Sequence, residues 1–241
     1  MTEPKIAIVT GGGKRVGAAL VRALIDDSWT VVAHVHHDGD SVPEGAERAV
    51  CDLADADCAA TIFAAAPGPV RLLVNNAARF AEDRFGAASA AEFSAHMAVN
   101  ARAPMLLIDE MARRHRGGAA LVVNLTDAKL AAPNADFLSY TLSKYALAGL
   151  TELAARALAG KGIRVNAIAP ALMLPSGDQR ESNFEAVHAL NPLGYGIEID
   201  DVVGALRFLI DSHGMTGQTI GLDGGQRFMA LARDVQYLET K

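Results

Sequence analysis

Tyr140 and Lys144 stand four residues apart, with Asp127 upstream of both. On a helix, residues at i and i+4 share a face. An ammonium held close to a phenol favours the phenolate, so this spacing predicts a Tyr140 pKa drawn down from about 10 toward neutrality. A phenol tuned in this way can hand a proton to a substrate at physiological pH. Asp127 can accept a hydrogen bond from an amine or relay a proton to a ring nitrogen. A Tyr-x-x-x-Lys pair alone also describes a packed tyrosine beside a surface lysine, so its meaning rests on the surrounding chain.

That chain opens with Lys5-Ile-Ala-Ile-Val-Thr10, a short apolar run suited to a strand buried on both faces. It leads into Gly11-Gly-Gly-Lys-Arg-Val-Gly17, then an amphipathic stretch with Val16, Leu20, Leu24 and Ile25 at helical spacing. Strand, glycine-rich turn and helix together can cradle a pyrophosphate. The glycines admit close backbone approach, and the helix N-terminus offers unpaired N–H groups and the positive end of a dipole. Gly11, Lys14, Arg15, Val16 and Gly17 are therefore cofactor-binding candidates.

The elements that must position these residues alternate. Strands are expected over 5–10, 30–35, 47–51, 70–75, 119–125, 163–168 and 218–221, and helices near 14–26, 55–65, 90–115, 136–159 and 200–211. Gly117-Gly118 and Gly160 suit left-handed helix ends, and Asp200-Asp201 suits a helix start. Alternation of this kind predicts one α/β domain over 1–241, a Rossmann-type doubly wound parallel sheet of about seven strands flanked by helices, with the site at the strands' C-terminal edge. An irregular region near 170–199, with a short helix around 183–190, and a tail over 226–241 complete the chain.

Taken together, these motifs resemble the short-chain dehydrogenase/reductase family over nearly the whole length. Thr10-Gly11 with Gly17 matches its glycine motif, and Asp52 follows the third strand where the family holds the adenine ring. Asn75-Asn76-Ala77 matches the turn after the fourth strand, with Ala78 in place of a glycine. Asn100 sits in the helical Val-Asn position, Asp127 stands where serine is usual, and Tyr140 and Lys144 match the active-site pair. Arg164-Val-Asn166, Pro170-Ala171 and Asp223-Gly-Gly225 match later turns. The resemblance implies a nicotinamide-dependent oxidoreductase with Asn100, Asp127, Tyr140 and Lys144 as catalytic residues. It also implies cofactor contacts from Asp52, Leu53, Asn76, Ala77, Tyr140, Lys144 and Pro170, and a substrate-covering loop after Pro170.

Departures from the family's common pattern narrow the expectation. Arg15 replaces the middle glycine, Asp127 the serine, Phe80 follows Asn75-Asn76 at the spacing of a ring-stacking phenylalanine, and His34-Val-His36-His37 closes strand two. These features look like a pteridine-reductase-type member, reducing a dihydropterin C=N bond, with Arg15, Phe80, Asp127, Tyr140 and Leu172 around the substrate. Val35 stands where NAD-dependent relatives carry an acid, while His36, His37 and Arg15 can face a 2′-phosphate; NADPH is expected over NADH, with Asp38 opposing. Ala78, Arg79 and Ala171-Leu172 depart from the pteridine-reductase pattern, so a carbonyl reductase of 3-oxoacyl thioesters, ketones or sugars is the alternative. A catalytically inactive cofactor-binding regulator is a minor one.

Composition limits the remaining classes. The 241 residues carry a net charge of −6 with no basic block, which argues against nucleic acid. No apolar run approaches the ~20 residues of a membrane span. The first residues lack a signal-peptide layout, and Cys51 and Cys58 suit a reducing compartment, so a cytoplasmic enzyme is expected. Asp178, Glu181, Glu185 and His188 lack metal-ligand spacing, and no metal is expected. The resemblance implies a homotetramer built through the helices near 90–115 and 136–159, and the apolar tail with Phe228, Leu231, Val235, Tyr237 and Leu238 is expected to dock on a neighbour.

Overall fold

The computed structural model describes residues 5–175, 181–229 and 231–238; Gly177 and Asp178 of the region after Pro170 lie outside them. In chain order the elements are β1 (Ile6–Val9), α1 (Arg15–Asp26), β2 (Thr30–Val35), β3 (Glu47–Val50), α2 (Cys58–Ala64), β4 (Val70–Asn75), α3 (Ala90–Met97), α4 (Ala103–Arg114), β5 (Ala120–Leu125), α5 (Leu138–Leu158), β6 (Ile163–Pro170), α6 (Glu181–His188), α7 (Ile199–Asp211) and β7 (Thr219–Leu222). The strands form one parallel sheet in the order β3-β2-β1-β4-β5-β6-β7. Strand order reverses between β1 and β4, and a crevice opens there at the strands' C-terminal ends.

Burial on both faces explains why the strands read as continuous apolar runs rather than alternating ones. Successive residues serve opposite layers: Ile8, Val32 and Leu73 pack with Ile62 and Leu107, while Val9, Ala33 and Val74 pack with Leu20, Leu24 and Leu206. Each fully buried Leu or Ile contributes roughly 1.5–3 kcal/mol, so both layers hold the sheet that carries the site.

Three expectations change in detail. The helix expected over 90–115 breaks into α3, a π-helical turn Ala98–Arg102 and α4, which has Pro104 in its first turn. Proline has no N–H to give, so it fits where a helix begins afresh. The left-handed residue after α5 is Gly162 at φ 78°, not Gly160, because a 3-10 turn Ala159–Lys161 extends the helix. Helix α7 is capped by Glu198 with Asp201 closing a capping box, so Asp200-Asp201 lie inside the first turn. The described tail makes contacts within its own chain: Lys129 Nζ donates to Asp234 Oδ2 at 3.0 Å, and Tyr237 stacks on Phe137 at 5.8 Å. No helix of the described residues is long and apolar enough to cross a membrane.

Candidate active site

The glycine turn is held by groups from three strands. Thr10 Oγ accepts from the N–H groups of Asn76 and Ala77 at 3.0 and 3.1 Å, and Asn76 Nδ2 donates back to Thr10 O at 2.8 Å. Gly11 has φ 64°, and its N–H donates to Nδ1 of buried His34 at 3.2 Å. With Nδ1 accepting, the His34 proton sits on Nε2 and is donated to Cys51 O at 3.1 Å. Burial pushes the His34 pKa down, consistent with a neutral ring. A Cβ on Gly17 would lie 2.0 Å from Gly11 O, so helix α1 can approach the turn only with glycine there. This backbone cradle fits a pyrophosphate.

A cavity of about 870 Å³ runs from this turn along the sheet edge. Gly11, Lys14, Arg15, Val16 and Gly17 line its floor, His36, His37, Asp52 and Leu53 one end, and Asn76, Ala77 and Pro170 the middle. His34, read with its neighbours as part of the strand edge, is instead a buried brace for the turn. His36 lies 3.9 Å from Asp52 and packs against His37 at 4.1 Å. Asp38 does not line the cavity; the rim carboxylate is Asp40, which accepts from the His37 N–H at 3.0 Å. Arg15 adopts φ 51°, a conformation glycine takes freely and other residues at a cost of roughly 1–2 kcal/mol. From there its Nη2 donates to Pro175 O at 2.8 Å, tying the glycine turn to the segment after β6.

At the other end the catalytic candidates converge. Tyr140 Oη donates to Asp127 Oδ2 at 2.6 Å, and Asp127 Oδ1 accepts from the Lys129 N–H at 2.8 Å. Lys144 Nζ donates to Leu125 O at 2.6 Å and lies 5.6 Å from the Tyr140 ring centre. The expected fall of the Tyr140 pKa is overturned: burial, then the Asp127 carboxylate, hold it well above the usual phenol value. The i,i+4 spacing placed Lys144 on the right face, but the carboxylate is in direct contact and the ammonium is not. Burial raises the Asp127 pKa against the hydrogen bonds from Tyr140 and Lys129. Burial lowers Lys144 to about 8, with Asp127 opposing that fall.

Phe80, Asp127, Tyr140 and Leu172 share the cavity wall. Phe80 meets Tyr140 edge-on at 4.7 Å and stacks on Phe137 at 4.4 Å, which leaves it 43% exposed. Asn100 is set back from the cavity. Its Nδ2 donates to Arg79 O and Ser143 Oγ at 2.9 Å, and its Oδ1 accepts from the Arg79 N–H at 2.7 Å. The side chain thereby fixes the segment bearing Phe80 to α5.

Sequence reasoning missed Asp83, whose buried carboxylate accepts from the N–H of Ser139 at 2.8 Å and from its hydroxyl. An acid at this end of a helix satisfies orphan N–H groups and complements the dipole, so Asp83 anchors the turn carrying Tyr140. It also missed the tail residues Asp234, Val235 and Gln236, which close the cavity's far end. No local signal marks either, since both act through contacts distant in sequence. The assembled groups can bind a phosphate-bearing dinucleotide along the floor and protonate a flat substrate lying against Phe80.

Comparison with known proteins adds to this geometry. A family model described as enoyl-(acyl carrier protein) reductase, of the short-chain dehydrogenase/reductase type, matches residues 13–227. L-xylulose reductase from Bos taurus is 33% identical over 232 residues, covering 91% of this chain and 95% of its own. Dihydromonapterin reductase from Enterobacter sp. (strain 638) is 28% identical over 233 residues, covering 91% and 95%. The crystal structure of FolM alternative dihydrofolate reductase 1 from Brucella suis in complex with NADP superposes with a TM-score of 0.84 at 34% identity, covering 95% of this chain and 97% of that one.

Proposed function

This chain belongs to the short-chain dehydrogenase/reductase family, and from that premise we propose that it is an NADPH-dependent reductase of a pterin-type C=N bond. One observation carries the reading: the Tyr140 hydroxyl is bonded at 2.6 Å to a carboxylate, beside a partly exposed phenylalanine face. Carbonyl reductases of this family usually carry serine at the Asp127 position, and a neutral hydroxyl suffices to hold a carbonyl. An acid adds a proton source and an acceptor for ring amines, which suits a nitrogen heterocycle. The 33% identity to bovine L-xylulose reductase favours a sugar or ketone as the second reading, and Asp127 weighs against it.

A bound reduced nicotinamide supplies the hydride. Phe80 stacks on the flat substrate. Tyr140, kept protonated by burial and Asp127, gives its proton to the nitrogen beside the carbon that is reduced. Lys144 stabilises the resulting phenolate and holds the cofactor ribose. The Asp127 carboxylate, whose pKa burial raises, takes up a proton from solvent and passes it to the phenolate, returning to the carboxylate; Asp127 and Tyr140 titrate as a pair. Asn100 acts by fixing the Phe80 segment. His36, His37 and Arg15 favour NADPH over NADH, a preference supported by the NADP complex of the Brucella suis relative.

The assembly that fits is a homotetramer, since Phe93 and Met105 on α3 and α4 and Leu142, Tyr145 and Leu153 on α5 expose apolar surface; a cytoplasmic location is part of the same reading. Sedimentation as a monomer would contradict it. The deciding assay mixes the protein with NADPH and 7,8-dihydrobiopterin or dihydromonapterin and follows loss of the reduced nicotinamide absorbance. Turnover that collapses in Tyr140→Phe is expected; turnover confined to ketones, sugars or acyl thioesters would overturn the pterin reading.

A further inference from the structure

Phe80 sits in a stretch without regular structure between β4 and α3. Among the described residues, no main-chain to main-chain hydrogen bond reaches residues 78–82. Side chains from α3 and the π turn hold the stretch instead: Glu92, His96 and Asn100, spaced at i, i+4 and i+8 along one stripe. Asn100 pairs with both the N–H and the C=O of Arg79, and Glu92 takes the Arg79 guanidinium in two bonds of 2.8 Å. On the other side of Phe80, the Ala81 N–H donates to His96 Nε2 at 3.2 Å. With Nε2 accepting, the ring proton is on Nδ1, which donates to Glu92 O at 3.0 Å. Arg79 and Ala81 flank Phe80, so the backbone on each side of the phenylalanine is tied to α3 or its π turn. The Arg79–Glu92 pair is partly exposed, at 41% and 25%, where an ion pair contributes little. His96 is fully buried, and removing its acceptor nitrogen leaves the Ala81 N–H without a partner.

We infer that His96 is a positioning residue for substrate binding: by accepting the Ala81 N–H from within α3, it fixes the backbone after Phe80 and with it the face on which a flat substrate stacks. The role rests on the proposed stacking of substrate on Phe80. The same stripe gives Arg79 a place, since its guanidinium is turned to Glu92 and does not line the cavity.

The test compares three variants of the full chain. His96→Leu fills the site without an acceptor, His96→Asn carries an amide too short to reach Ala81, and His96→Gln carries one that reaches as far as Nε2. His96→Leu and His96→Asn should raise the substrate KM roughly tenfold, with kcat changed less than about threefold and NADPH affinity as in the wild type. His96→Gln should recover most of the KM. If His96→Leu fails to fold, the Asn and Gln pair carries the same comparison. Added to Phe80→Leu, the His96 change should raise KM no further, because the face it positions is gone. A fall in kcat at wild-type KM, a Gln variant as weak as Asn, or additive losses in the double variant would overturn the inference. The kinetics are run on whichever pterin or carbonyl compound the wild type reduces, and Phe80→Leu alone separates the two readings. Wild-type KM in Phe80→Leu refutes the stacking; a raised KM there beside wild-type KM in His96→Asn refutes the positioning role. Hydrogen exchange needs no substrate: His96→Asn should speed exchange over 79–82 and spare 6–26, and unchanged exchange over 79–82 would also overturn the inference.

Discussion

Replacing Asp127 with asparagine tests the electrostatics of the site most directly. The change keeps the side-chain size and removes one negative charge from a position 2.6 Å from the Tyr140 hydroxyl. A hydrogen bond to a charged group contributes roughly 1.5–3 kcal/mol, and losing the carboxylate's share of it lowers the Tyr140 pKa. Lys144 moves in the same direction, because Asp127 opposes the burial that has already brought it to about 8. The proposed mechanism requires a protonated phenol and a charged Lys144. In the wild type Tyr140 holds its proton well above the usual phenol range, so activity should fall on the alkaline side as Lys144 deprotonates near 8. In Asp127→Asn both protons leave earlier, and that limb should move down by roughly one unit. The assay is the pH profile of NADPH oxidation at saturating substrate. A limb that stays in place or moves up would refute the coupling.

Tyr140→Phe should lower kcat by about 10²–10⁴, the usual contribution of a positioned acid, with NADPH binding retained by fluorescence titration; wild-type turnover would remove Tyr140 from the acid role. At position 15, where φ is 51°, Arg15→Gly should be more stable than Arg15→Ala by about 1 kcal/mol, read by chemical denaturation. The reverse order would show that this turn carries no strain. Asp83→Ala should cost about 1–2 kcal/mol, as lost helix caps do, and lower kcat because the turn bearing Tyr140 loosens. An unchanged melting temperature would contradict that anchor.

Much of this arrangement was legible because it depends on periodicity and local order. Buried runs such as Ile6–Val9 and Ala120–Leu125 fell within the expected strands, and the cavity collected every predicted cofactor and substrate residue. Of the predicted site residues only Asn100 stands back from its wall. What escaped was direction and distance. The sequence spacing of Tyr140 and Lys144 does not reveal that Lys144 Nζ turns to Leu125 O while Asp127 takes the phenol, and so the sign of the Tyr140 shift was reversed. The π turn that breaks the 90–115 helix holds Asn100, which reaches Arg79, and the tail's return depends on partners more than 90 residues away, such as Lys129–Asp234 at 105 apart. Periodicity carries no trace of contacts that distant.

The His34 brace gives the cofactor cradle a sensitivity to acid. Its Nδ1 can receive the Gly11 N–H only while the ring is neutral. Protonation would set two donors face to face inside the turn that receives the pyrophosphate. Because burial lowers the folded-state pKa below the ordinary 6.5, the unfolded chain takes up the proton first. The His34 contribution to stability is therefore present above that value and is lost as pH falls below it. Acidification thus acts on the candidate nucleotide cradle and on stability through one imidazole, and weaker cofactor binding and lower stability should follow the same proton.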